Sequence, residues 1–333
     1  MQPNIDFIKI TTDATIIHKF IEEVILEPRL NVLLWSAITK QTPGLRIGYP
    51  AQHLASLITG VEGSRTGARG DDLVDGTEVK SCNRIDQLDT CKECGQKVLR
   101  MEHNCSVCNS SNIDRKNDSK WLMTIRSEAE LKLYTEKIDR VLLILLDYPH
   151  FSDGQFDTAR IQAFEVWPQN SPNFIQICED YYYKIYLEHI KANPNKTPAP
   201  KNFWPESYQF YLCKPIKVFE ALINDFNTKP TAEIISYHLA SESRDYLVPE
   251  SAPLSIFKPK ELDQVFDAAA MSYPNNEFIR DWRTIRKLND ARKRLEYNKM
   301  KLSGKVMESS LLDCLALRDT SKATPHQGAY SRR

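Results

Sequence analysis

Apolar residues between positions 12 and 40 recur at intervals of three and four: Ile16, Ile17, Phe20, Ile21, Val24 and Ile25. That spacing lays one stripe along a helix. Residues 50–58 repeat it after the turn-forming Thr42-Pro43-Gly44. A continuous apolar run, Val141 to Leu146, is closed by Tyr148-Pro149, the pattern of a central strand buried on both faces. Residues 120–126 and 160–167 predict two more strands. Between them Ser127 and Glu130 form a capping box that opens a helix reaching about residue 139. Farther along, the pattern predicts a helix over 173–192, a strand over 208–213 and a helix over 216–226. One long helix is predicted over 278–305, with Ile279, Trp282, Ile285, Leu288, Ala291 and Leu295 as its apolar stripe. The polar, aperiodic end predicts a disordered tail over 319–333. Helices alternating with strands in this way predict an α/β (α+β) core, a mixed sheet flanked by helices. The boundaries that follow are an N-terminal helical region (1–60), a core (61–168) and a mostly helical C-terminal region (169–318).

Composition narrows the setting. No apolar run approaches the length of a membrane span, and the first residues, Met1-Gln2-Pro3-Asn4, lack the basic and apolar segments of a signal peptide. We therefore expect a cytoplasmic protein with no membrane partner. Lys plus Arg and Asp plus Glu both number 44, so a global attraction to a polyanion is absent and any nucleic-acid surface must be a local patch. Residues 278–305 carry ten basic residues against three acids. They make either a solvated face or one that touches DNA or flanks a dimer contact.

Acidic chemistry concentrates at Asp71-Asp72-Leu73-Val74-Asp75-Gly76-Thr77-Glu78-Val79-Lys80. Asp75-Gly76 suits a two-residue type I′ turn. In that register Leu73 opposes Glu78, and Asp71, Glu78 and Lys80 share one face, with Asp72 and Val79 on the other. A divalent cation fits between Asp71 and Glu78. A slip of one residue would substitute Asp72 for Asp71. Asp75, in the turn, reads as structural. The preceding segment, 60–70, carries four glycines and the guanidinium groups of Arg65 and Arg69, a composition able to approach a phosphate backbone.

Cys91-x-x-Cys94 and Cys105-x-x-Cys108 stand ten residues apart. Each pair offers two thiolates from one tight turn, and together they make a closed tetrahedral Zn²⁺ site with no open coordination position. The ribbon is expected at about 89–112, inserted after the acidic hairpin. There it stiffens a long loop or grips DNA or a second subunit.

Asp71, six residues, then Glu78-Val79-Lys80 resembles the catalytic motif of the PD-(D/E)XK nucleases, with Gly70 where their proline stands. Together with the ribbon, Gly67 to Leu73 and Ser119 to Arg126, it makes the chain similar to type II restriction endonucleases of the MamI family. The resemblance implies Mg²⁺-dependent hydrolysis of both strands of double-stranded DNA to 5′-phosphate and 3′-hydroxyl ends, by a homodimer genetically paired with a DNA methyltransferase. It also implies roles. Asp71, Glu78 and the Val79 carbonyl would hold Mg²⁺, and Glu62 is a candidate further ligand. Lys80 would position the attacking water, and Arg65, Arg69, Arg84 and Arg126 are candidates for DNA contact. A repair or nicking nuclease, a non-catalytic zinc-ribbon DNA-binding protein and a zinc-stabilised scaffold remain as alternatives.

Overall fold

The computed structural model describes residues 1–44, 46–65 and 71–319. The expected tail therefore lies, from Thr320 on, outside the described residues. The described chain divides into two compact units: one of residues 1–122, 136–168 and 217–246, the other of 123–135, 169–216 and 247 onward. Among the described residues no helix is long and apolar enough to cross a membrane.

The first unit is built on a five-stranded sheet. Its strands, with those of the ribbon, are β1 (Glu78–Asn83), β2 (Asp89–Cys91), β3 (Lys97–Val98), β4 (Ile113–Asp114), β5 (Val141–Asp147), β6 (Ala159–Val166), β7 (Ile216–Asn224) and β8 (Thr231–Tyr237). The sheet order is β1-β5-β6-β7-β8. β1 runs parallel to β5, with Glu78 opposite Val141 and Lys80 opposite Leu143, and β5 is antiparallel to β6. The sheet is thus mixed. All seven residues of β5 are buried, which is why its sequence shows no alternation.

Helix α1 covers 14–39 as Ala14–Phe20, a π-helical stretch Ile21–Leu26 and Glu27–Thr39. Asp13 caps its first turn by accepting from the Ile16 N–H. Helix α2 (Gly48–Thr59) buries Ala51, Leu54, Ala55 and Ile58 and packs on β1 and β5, while the first turns of α1 pack on β8 and α2. Apolar stripes at helical spacing put both helices against the sheet.

One expectation fails here. Residues 216–224 form the strand β7, where the spacing predicts a helix over 216–226, and β8 falls in a stretch for which the pattern predicts no element. In β7 the buried set is Ile216, Val218, Phe219, Ala221 and Ile223. Two neighbours, Val218 and Phe219, are both buried, so the period-2 signal is broken in a way that mimics helical spacing.

The end of the sheet beside β1 is held by buried ions. Glu165, fully buried, accepts from Arg140 Nη1 at 3.1 Å, Arg244 Nε at 3.2 Å and Trp167 Nε1 at 3.0 Å. Arg140 reaches onward to Asp75 Oδ2 at 2.8 Å and Thr77 Oγ1 at 2.8 Å. One guanidinium therefore ties the acidic turn to the sheet.

The second unit is mostly helical: α3 (Glu128–Lys132), α4 (172–192, from Pro172–Glu179, a π-helical Asp180–Tyr186 and Leu187–Ala192), α5 (Tyr208–Leu212), α6 (Pro259–Ser272), α7 (Glu277–Ile285) and α8 (Asp290–Lys299). Ser127 caps α3 as expected, its Oγ accepting from Glu130 N, while Glu130 Oε2 accepts from Arg126 N, one residue before the cap, in place of the reciprocal bond of a full box. Residues 208–212 are helical rather than extended. All five are buried, so no polar face marks their period. The helix expected over 278–305 breaks between α7 and α8, where Asn289 caps the second helix by accepting from Arg292 N at 3.0 Å. In consequence Leu295 is 55 % exposed, and Lys293 turns inward to Asp263, which also accepts from Trp282 and Tyr297.

Candidate functional site

The acidic turn is built differently from a type I′ hairpin. Among non-glycine residues with positive φ Asp75 does not appear, whereas Gly76 has φ +81°. The Gly76 N–H donates to the Leu73 carbonyl, and the Leu73 N–H to the Thr77 carbonyl, each at 3.1 Å. The loop is therefore three residues, Val74-Asp75-Gly76, with the glycine taking the left-handed position. Asp75 closes it by accepting from Thr77 N at 3.0 Å. The one extra loop residue shifts the register, so Leu73 faces Thr77 instead of Glu78. The two-residue turn is thereby corrected, and in the new register Asp72 stands opposite Glu78.

The shift brings Asp72 to β1. Its Oδ2 accepts from the Val79 N–H at 2.8 Å and its Oδ1 from Gln52 Nε2 of α2 at 2.6 Å. Burial pushes the Asp72 carboxyl up from its ordinary value, against the Val79 N–H, the positive charge of nearby Lys80 and the Gln52 bond, which pull it down. Lys80 Nζ donates to Glu78 Oε1, and its side chain is 20 % exposed against 8 % for Glu78. Lys80 therefore pairs with Glu78 and lends positive charge to the neighbourhood of Asp72. Asp71 is half-buried, and its backbone carbonyl accepts from Ser64 Oγ.

The other neighbour of the turn is the segment before it. Gly63 bridges Leu73, Ser64 N donates to the Asp72 carbonyl at 3.0 Å and Val74 N to the Glu62 carbonyl at 3.0 Å. Glu62 and Arg65 are exposed and, with Gln52, His53 and Asp72, line a cleft of about 620 Å³. The site therefore opens to solvent on the side where Glu62 and Arg65 stand. Asp72 and Glu62 bring carboxylate oxygens to this cleft, the ligand type a hard divalent cation takes.

Of the remaining arginines, Arg84 is 3 % exposed, which corrects its expected role at a DNA surface: a buried guanidinium has no face to offer a phosphate. Arg126 is exposed and belongs to the second unit, while Arg69 lies outside the described residues. Gln52 is the site residue that sequence reasoning passed over. A single glutamine in an amphipathic helix carries no local signal, and only the packing of α2 on β1 makes it a neighbour of Asp72.

The four cysteines converge. The sulfurs of Cys91, Cys94, Cys105 and Cys108 all lie within 4.8 Å of one another, with Cys91–Cys108 and Cys94–Cys105 at 3.5 Å. A tetrahedron with bonds of about 2.3 Å has edges of about 3.8 Å, so the cage matches zinc. Each pair sits in the same tight turn: Gly95 N donates to the Cys91 carbonyl and Asn109 N to the Cys105 carbonyl. Gly95 and Asn109 both take the left-handed conformation, at φ +72° and +57°. The ribbon sheet, β3-β2-β4, is pinned at its base by the fully buried Asp89, which pairs with Arg115 at 2.8 Å and Arg100 at 3.2 Å. Those guanidiniums lie over Phe156 and Phe151, at 5.1 and 4.8 Å from the ring centroids.

The chain that builds this mixed α/β unit, its carboxylate–lysine pair and its four-cysteine cage matches the family model of MamI restriction endonucleases over residues 34–254 of the 333. The chain belongs to that family. Among curated proteins, the type II restriction enzyme MamI of Microbacterium ammoniaphilum is 44 % identical over 55 residues, 16 % of this chain and 18 % of that protein. The aligned stretch is thus less than a fifth of that relative's length. No solved structure matches.

Proposed function

We propose that this chain is a Mg²⁺-dependent type II restriction endonuclease of the PD-(D/E)XK kind, cutting both strands of DNA at a specific site. The observation that carries the reading is the Lys80–Glu78 ion pair on β1, with Asp72 bonded to the intervening Val79 N–H and lining a solvent-open cleft, in a chain of the MamI family. Asp72 and Glu78, with the Val79 carbonyl between the active side chains, would hold the cation. Asp72 takes the part first expected of Asp71, because neighbouring residues of an extended segment project to opposite sides. Glu62 remains a candidate further ligand from the cleft wall.

Mg²⁺, when bound, supplies a Lewis acid for the phosphate and makes water a better nucleophile. The remaining work falls to the chain. Gln52 and the Val79 N–H fix the Asp72 carboxylate in one orientation, a pre-organisation that a flexible acid would lack. Lys80 brings a positive charge to the place where negative charge grows on the scissile phosphate, and its N–H groups orient the attacking water. Arg65, exposed on the cleft, is placed to hold the neighbouring phosphates.

Plasmid digestion tests this. With Mg²⁺ the wild type is expected to convert supercoiled plasmid to linear fragments of fixed ends, and the Lys80→Ala protein to leave it supercoiled. Linear product without accumulating nicked circle marks a homodimer that cuts both strands in one encounter. Persistent nicked circles point to a nicking enzyme, and equal cutting by both proteins rules out the assigned site.

The cysteine cage is proposed to hold structural Zn²⁺. Elemental analysis of the purified protein is expected to give one zinc per chain, falling by at least half in Cys94→Ser, because three thiolates bind far more weakly than four. Metal-free protein with a stably folded ribbon would refute it.

A further inference from the structure

In the second unit a groove of about 460 Å³ runs between the segment leading into α6 and the helix α8, over a floor that includes Leu262, Tyr297 and Leu302. Lys258, Arg294 and Lys301 line it, and a hollow of about 600 Å³ adjoins it, sharing Lys258 and Arg294. Among the described residues these three cations have no ionic partner. The acids around them are already paired: Glu261 with Arg318 at 2.6 Å, Asp290 with Lys260 at 3.7 Å, Asp263 with Lys293, and Glu296 with Lys299 at 2.7 Å. The positive charge of the rim is therefore uncompensated. The N-terminal end of the fourteen-residue α6 adds partial positive charge to it.

We propose that this groove is a second binding site for the phosphodiester backbone of duplex DNA, apart from the candidate active site. It rests on the reading of the chain as a DNA-cleaving enzyme. Charge selects the occupant: three unpaired cations around one groove attract a polyanion, and phosphates are contacted by Lys and Arg without reference to sequence. The aromatic lining residues are Phe257 and Tyr297, at 8 % and 2 % exposure. Without an exposed ring on which bases stack, the groove suits a backbone and not unpaired bases. Lys301 adds a second mark. It holds φ +52° directly after α8, a left-handed position usually given to glycine, and it presents a long cation there.

The test is the salt dependence of binding to a short fluorescent duplex, with the full chain and no divalent cation added. Each lost phosphate contact lowers the slope of log affinity against log salt by about 0.9. The triple variant Lys258→Ala, Arg294→Ala, Lys301→Ala is therefore expected to lower the slope by about 2–3 and the affinity by at least about tenfold at low salt. Its cleavage rate on fully bound plasmid is expected to stay at the wild-type level, since none of the three residues belongs to the active site. The single change Lys301→Gly removes a cation while easing the backbone, so it is expected to lower the slope by about 1 with no fall in melting temperature. A wild type that binds and cuts DNA, with slopes unchanged in both variants, overturns the groove and leaves the endonuclease reading intact. A polyglutamate peptide that occupies the groove while the duplex slope is unchanged assigns it to acidic protein partners and overturns it too. A wild type that neither binds nor cuts DNA removes the endonuclease reading and the groove with it.

Discussion

Asp72→Asn is expected to lower the rate of plasmid cleavage at saturating Mg²⁺ by at least about a thousandfold, whereas Asp71→Asn costs less than about tenfold. Removing a carboxylate that holds the cation forfeits several kcal/mol of stabilisation on the developing charge, and each 1.4 kcal/mol is about a factor of ten. The asymmetry between the two variants is the informative part. Asp72 Oδ2 is held by the Val79 N–H and Oδ1 by Gln52, beside Lys80. Asp71 precedes it by one residue on the far side of the shifted register. Asn keeps the size, its oxygen can still accept from the Val79 N–H, and its NH2 can donate to Gln52 Oε1 once that amide flips, so loss of activity in Asp72→Asn would report charge and not collapse of the turn. Circular dichroism of both variants checks that the fold is kept. The opposite ranking, Asp71 essential and Asp72 dispensable, would restore the two-residue turn and refute the register.

Glu165→Ala is expected to destabilise the sheet unit by about 3–5 kcal/mol, the usual cost of leaving a buried charge without its partner. Glu165 is fully buried between Arg140 and Arg244, both nearly or fully buried themselves. Its removal leaves two guanidiniums facing each other in a medium where water cannot screen them. Urea denaturation followed by tryptophan fluorescence measures this, since Trp167 donates directly to Glu165 at 3.0 Å. A lowered midpoint with an unchanged slope is the expected form. Cleavage should fall as well, because Arg140 also holds Asp75 and Thr77 and through them the turn that carries Asp72. A loss below about 1 kcal/mol would mean that the network is solvated or rearranges, and would remove its assigned role.

Different parts of this protein were legible to different degrees, and the reason is the range of the interaction concerned. The long amphipathic helices, the cap at Ser127 and the buried strand at 141–147 follow from neighbours a few positions away. Residues 208–212 and 216–224 could not be assigned from pattern, because segments buried nearly all round have no polar face to set a period. Asn289 is a cap residue by type, but its position inside a regular apolar stripe hides the break. The outward turn of Leu295 follows from that break.

The four-cysteine cage and the Glu78-x-Lys80 pair were written in the sequence by themselves. Two Cys-x-x-Cys turns bring their thiols together by local geometry, and residues two apart on a strand share a face by its period. Only the tertiary structure shows which aspartate bonds to β1: Asp72, through the Val79 N–H. The acidic turn first read as a two-residue hairpin proved to be three residues long. That difference of one depends on Arg140, sixty-five positions from Asp75, on the Gly63 segment pairing with Leu73 and on Gln52 reaching Asp72 from α2. Such long-range contacts leave no mark in the local pattern, yet a shift of one residue is enough to exchange Asp71 for Asp72 at the candidate site.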